Sequence, residues 1–74
     1  MLTLKFTVIR FEGPNETIVV LVDEKDKPIM VGDDYHDAIE RKIEGFFDAL
    51  NYIGIEHEIT ELTTFGSYYE SKYY

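Results

Sequence analysis

Polar and apolar residues alternate from Leu2 to Phe11. Leu2, Leu4, Phe6 and Val8 fall on one side, and Thr3, Lys5 and Thr7 on the other. A period of two predicts a half-buried strand. Towards its end Ile9 and Phe11 make the second side apolar as well. Glu12-Gly13-Pro14-Asn15-Glu16 then breaks the pattern with turn residues. Thr17 to Val22 is an unbroken β-branched and aliphatic run, too short for a core helix, and it predicts a central strand covered on both faces. After the charged turn 23–28, Ile29, Met30 and Val31 predict a short third strand. Pro28, which has no N–H to donate, suits its start or an edge.

The period then changes. Ile39, Ile43, Phe46, Phe47 and Leu50 recur at helical spacing and form one apolar stripe. A helix is expected over residues 34–53, with Asp33 or Asp34 capping its first turn. Gly54 should end it in a left-handed conformation. Ile55 to Thr64 reads as the last core strand, with Ile55, His57 and Ile59 on one face. Leu62 is out of phase with them, and a bulge near Thr60-Glu61 would restore it.

The expected fold is α+β: a small mixed, mainly antiparallel sheet with one helix on one face, in the order β-β-β-α-β. It has four strands, or five if the C-terminal tyrosines add one. Residues 1–66 form the single compact domain and 67–74 a Tyr-rich strand or tail. The helix returns the chain to the far end of the sheet, so the following strand runs parallel to the first, giving the spatial order 3-2-1-4. In outline this resembles a β-grasp-like arrangement, and no motif identifies a family.

Composition narrows the function. Fifteen acidic residues against seven Lys and Arg give a formal net charge of -8 in 74 residues. The few scattered bases form no patch for phosphates, so neither direct nucleic-acid binding nor an anionic membrane is expected as a partner. A basic protein surface fits the charge. The chain has no cysteine and only two histidines, His36 and His57, which removes disulfides and thiolate metal sites. No signal-peptide core and no run of about 20 apolar residues is apparent, so a cytoplasmic location is expected.

Candidate chemistry is sparse. Asp33-Asp34-Tyr35-His36-Asp37 gathers three carboxylates and an imidazole, but it lacks the spacing of a calcium loop, and helix capping explains two of the acids without a metal. His57 reads as a partly buried histidine without a catalytic partner. The glycines are isolated and form no phosphate loop. Gly45, inside the helix, could admit a close backbone. No cofactor, no metal and no enzymatic activity are expected.

Two surfaces stand out as protein-binding candidates. Asp37, Glu40, Glu44 and Asp48 would line the outer helix face as a row of carboxylates. Tyr68, Tyr69, Tyr73 and Tyr74 crowd the C-terminus, and tyrosine is enriched at interfaces. The expected function is a small acidic, non-enzymatic protein-binding module. Its most concrete form is an inhibitor or DNA-mimic-like protein of a phage or mobile element. The alternative is a structural, self-assembling protein whose only partner is itself. A homo-oligomer, most simply a dimer, is expected on the ground that one helix covers only one face of a sheet. Its interface would hold Ile9, Phe11, Val19 and Leu21.

Overall fold

The computed structural model describes residues 2–74. Strands β1 (Leu4–Glu12), β2 (Thr17–Asp23) and β3 (Pro28–Asp33) are followed by helix α1 (Ile39–Ile53) and strand β4 (His57–Phe65). The four strands form one sheet in the order β3-β2-β1-β4. The β1–β2 and β2–β3 pairs are antiparallel, and β1–β4 is parallel. The fold is α+β, with the helix as the crossover that returns the chain to the opposite edge.

The helix seals one face. Phe6, Val19, Leu21, Ile39, Ile43 and Leu50 make a buried cluster, with Phe46 and Phe47 packed against it. Phe6 meets Phe46 edge-on at 5.4 Å between ring centroids. Ile9, Phe11, Ile18, Val20 and Val22 form a second cluster on the opposite face, closed by Tyr68 with Tyr73 beside it.

This division corrects the expected interface set. Val19 and Leu21 lie under the helix, not beside Ile9 and Phe11. The reason is the first turn. Glu12 pairs with Thr17 across the four-residue loop 13–16, so Ile9 stands opposite Val20 and Phe11 opposite Ile18. Residues directly opposite share a face, and β2 is apolar at every position from Ile18 to Val22, so its composition carries no phase.

Helix α1 starts later than expected. Asp33 Oδ1 accepts the N–H groups of Tyr35 and His36, and Asp37 Oδ2 accepts that of Asp33. These local bonds replace the first helical turn. Ala38 then adopts a left-handed φ of 50° and precedes the helix without a side-chain cap. The other end is as expected. Gly54 has φ 80°, and the Ile55 N–H reaches back to the Leu50 carbonyl at 2.9 Å.

Strand β4 carries no bulge. Its pairing with β1 runs without interruption from Leu4–His57 to Glu12–Phe65. Leu62 therefore stays on the face of Ile9, opposite to that of Ile59. Residues 67–74 are neither a fifth strand nor a loose tail. Tyr68–Glu70 is a short 3₁₀ turn capped by Ser67, whose hydroxyl accepts the Tyr69 N–H.

Candidate protein-binding edge

Strand β4 is an edge strand of nine residues. The Leu4 N–H donates to the Glu56 carbonyl at one end, and the Gly66 N–H to the Glu12 carbonyl at the other. In a parallel ladder alternate residues of each strand face the partner. Even-numbered residues of β4 therefore turn their backbone groups to β1. Ile59, Glu61, Thr63 and Phe65 turn theirs outward, and no other described element bonds them. Natural edges are commonly blunted by proline, bulges or lysine. The β3 edge begins at Pro28, whereas β4 (HEITELTTF) has no proline, bulge or lysine, and Glu58 and Glu61 are its only charged residues.

Apolar side chains flank this open backbone. Ile59 is 45% exposed, Leu62 52% and Phe65 83%. Ile59 and Phe65 share the helix side of the sheet, being opposite Phe6 and Glu12, and Leu62 lies on the other side. Next to Ile59, between α1 and β4, runs a groove of about 330 Å³ lined by Val8, Ile43, Phe47 and the carboxylates of Glu40, Glu44 and Glu61. Leu62 out of phase and Phe65 beyond it mark a strand apolar on both sides, a pattern that a fully paired core strand shows too. The edge position follows instead from the expected order 3-2-1-4, which the structure bears out.

The acidic row on the helix is divided. Asp37 precedes the helix and folds onto the Asp33 backbone. Glu40 pairs with Arg10 of β1, which also donates to Asp34 Oδ2 at 2.9 Å. Glu44 and Asp48 remain exposed. The four tyrosines divide similarly. Tyr68 is buried against Phe11, Tyr73 is half-buried beside it, and Tyr69 and Tyr74 are exposed and meet edge-on at 4.9 Å. Ile9 and Phe11 are thus covered by the chain's own C-terminal segment, which removes the uncovered second face from which a dimer was expected.

That segment is anchored at the β2–β3 turn. Tyr73 donates its hydroxyl to Asp26 Oδ1, Lys72 ion-pairs with Asp26, and the Tyr68 hydroxyl donates to the Tyr73 carbonyl at 3.0 Å. Hydrogen bonds from Lys72 and then Tyr73 hold the Asp26 carboxyl below the ordinary carboxylate range. Burial first, and then the bond to Asp26, push the Tyr73 phenol up. Asp26 also raises the Lys72 ammonium.

The acidic turn before the helix uses its groups internally. The backbone N–H groups of His36 and then Tyr35 hold the Asp33 carboxyl low. Among the described residues no group of three or more His, Cys, Asp or Glu is placed to share a metal ion. His57 stacks on Phe47 at 5.5 Å and donates from Nδ1 to the Ile55 carbonyl. Gly45 faces open space, and among the described residues no other element's backbone comes within 4 Å of a Cβ built there. No described helix is long and apolar enough to cross a membrane. Comparison with protein-family models, curated proteins and solved structures gives no match.

Proposed function

We propose that the protein is a non-enzymatic protein-binding module that takes an extended strand onto the outer edge of β4. The observation that carries this reading is the unpaired, outward-facing backbone of Ile59, Glu61, Thr63 and Phe65, bordered by exposed Ile59, Leu62 and Phe65. In strand addition the main chain supplies affinity and alternate side chains supply specificity. An incoming strand would place apolar side chains beside Ile59 and Phe65 on the helix side and beside Leu62 on the other. The carboxylates rimming the groove favour a basic residue within reach of Glu61.

Imitation of a phosphate backbone by the helix, as in an inhibitor of a phage or mobile element, draws on fewer groups than the sequence offers. Asp37 and Glu40 already have partners within the fold, which leaves Glu44 and Asp48.

The test is a display selection of extended ten-residue peptides on the wild type, counter-screened on Thr63→Pro. That change removes an outward N–H and leaves the β1–β4 ladder intact. Peptides that bind the wild type and lose the variant support strand addition. Peptides that bind both equally, or no peptides at all, contradict it.

A further inference from the structure

The geometry points to β4 of a second copy as the strand that fits the β4 edge, antiparallel about a two-fold axis through Leu62. The inference rests on the docking-edge reading and adds the partner and the register.

The three exposed apolar residues of β4 sit at 59, 62 and 65, symmetric about 62. In an antiparallel pair centred there, Leu62 stands opposite the second copy's Leu62, and Ile59 opposite its Phe65. Opposed residues lie on the same face. Ile59 and Phe65 are both on the helix side, so the match in chemistry is also a match in face. Phe65 of one copy would come beside Ile59 of the other, at the mouth of the groove lined by Val8, Ile43 and Phe47. Thr60 meets Thr64, and Glu61 meets Thr63. No carboxylate lies directly opposite another.

The backbone phase agrees independently. Antiparallel pairs alternate between hydrogen-bonded and non-bonded positions. The outward groups of β4 belong to 57, 59, 61, 63 and 65. A two-fold axis through Leu62 makes Glu61–Thr63 and Ile59–Phe65 the bonded pairs, and every outward group from 59 to 65 finds a partner. Leu62–Leu62 becomes a non-bonded pair, the kind with the closer side chains. A centre moved by one residue, to Glu61 or Thr63, would break the apolar matching. The pairing joins two four-stranded sheets into one continuous sheet and covers the unprotected edges.

One feature opposes it. The two Glu61 side chains are diagonal neighbours on the helix side, and each chain carries a net charge of -8. The association is therefore weak in dilute buffer and tightens with salt, which screens exposed charges.

Sedimentation equilibrium across a micromolar concentration range at low and high salt, with the wild type, Thr63→Pro and Glu61→Gln, tests the pairing. Expected is a monomer–dimer equilibrium reaching twice 8.7 kDa. It should tighten several-fold with salt or with Glu61→Gln and be lost in Thr63→Pro while the circular dichroism is unchanged. Because the chain has no cysteine, Leu62→Cys gives a second readout that does not depend on any variant losing function. Mild oxidation should yield a covalent dimer, and Thr64→Cys, which faces Thr60, should yield far less. A wild type that stays monomeric throughout overturns the self-pairing. A dimer that survives in folded Thr63→Pro, or that cross-links no better through Leu62→Cys than through Thr64→Cys, overturns it also. Failure of the self-pairing is distinguishable from failure of the docking edge. A monomer that still selects peptides lost on Thr63→Pro keeps the edge and replaces its occupant.

Discussion

Tyr73 reaches from the C-terminal segment to donate its hydroxyl to Asp26 at the tip of the β2–β3 turn. This bond and the Lys72–Asp26 ion pair fix the strap that closes the second core. Its groups titrate in opposite senses. Asp26 is depressed, so its contribution is present above the ordinary carboxylate pKa and is lost as pH falls through the lower folded value. Tyr73 and Lys72 are raised, so theirs is present below their ordinary values and is lost as pH rises through the higher folded ones. The strap should hold between about pH 4 and pH 10 and loosen on both sides. Carboxypeptidase digestion below and within that window checks the acidic limb with an acid-active enzyme. Asp26→Asn should speed removal of Tyr74 and Tyr73 at neutral pH; equal rates in the variant would show that the turn does not anchor the strap.

The two classes of tyrosine separate by stability. Tyr68 is 9% exposed and Tyr74 77%. Tyr68→Ala should cost about 3 kcal/mol, in the range of large-to-small changes in cores. Tyr74→Ala should stay within about 0.5 kcal/mol. Urea denaturation of both variants measures the difference, and equal costs would place Tyr68 outside the core.

Two glycines should respond in opposite directions. A Cβ on Gly32 would meet the Asp37 Cβ at 3.0 Å and the Ile39 Cβ at 3.3 Å, where the loop before the helix crosses β3. Gly32→Ala should destabilise by about 1–3 kcal/mol. A Cβ on Gly45 meets nothing within 4 Å, so Gly45→Ala should stabilise by about 1 kcal/mol through helix propensity alone. Thermal denaturation of the two variants reads both signs. A destabilised Gly45→Ala would contradict the open surface there.

The start of the helix yields a further change of sign. Ala38 holds a left-handed φ of 50°, which glycine adopts at less steric cost. Ala38→Gly should therefore be neutral or stabilising by up to about 1 kcal/mol, whereas the same change at Ala49, inside the helix, should cost about 1 kcal/mol. Chemical denaturation of the pair distinguishes the two backbones.

Much of the fold is legible in the residues. The period-two run to Phe11, the β-branched run 18–22 and the stripe from Ile39 to Leu50 each report their own element. Connectivity then requires the parallel return beside β1. The misplaced features share one cause: each depends on a parity or a local bond that composition does not carry. The even-length loop 13–16 puts Val20 rather than Val19 opposite Ile9. The Asx bonds of Asp33 and Asp37 displace the first helical turn that the same acids were expected to cap. At the site, sequence marks the tyrosines and carboxylates because they are conspicuous. The structure shows Tyr68, Tyr73, Asp37 and Glu40 engaged within the fold. Ile59, Leu62 and Phe65 pass for core in the sequence and become surface once β4 is an edge.

The docking edge is tested most directly at the outward amides of Glu61 and Thr63, by hydrogen exchange over a series of protein concentrations. Within one protomer the amides of Thr60, Leu62 and Thr64 donate to β1 and should be protected at every concentration. Those of Glu61 and Thr63 should exchange freely when dilute and slow markedly as concentration rises, as the pairing through Leu62 requires. Fast exchange at Glu61 and Thr63 at all concentrations would contradict occupation of the edge by a second copy. Equal protection of both sets in the dilute protein would contradict an open β4 edge altogether.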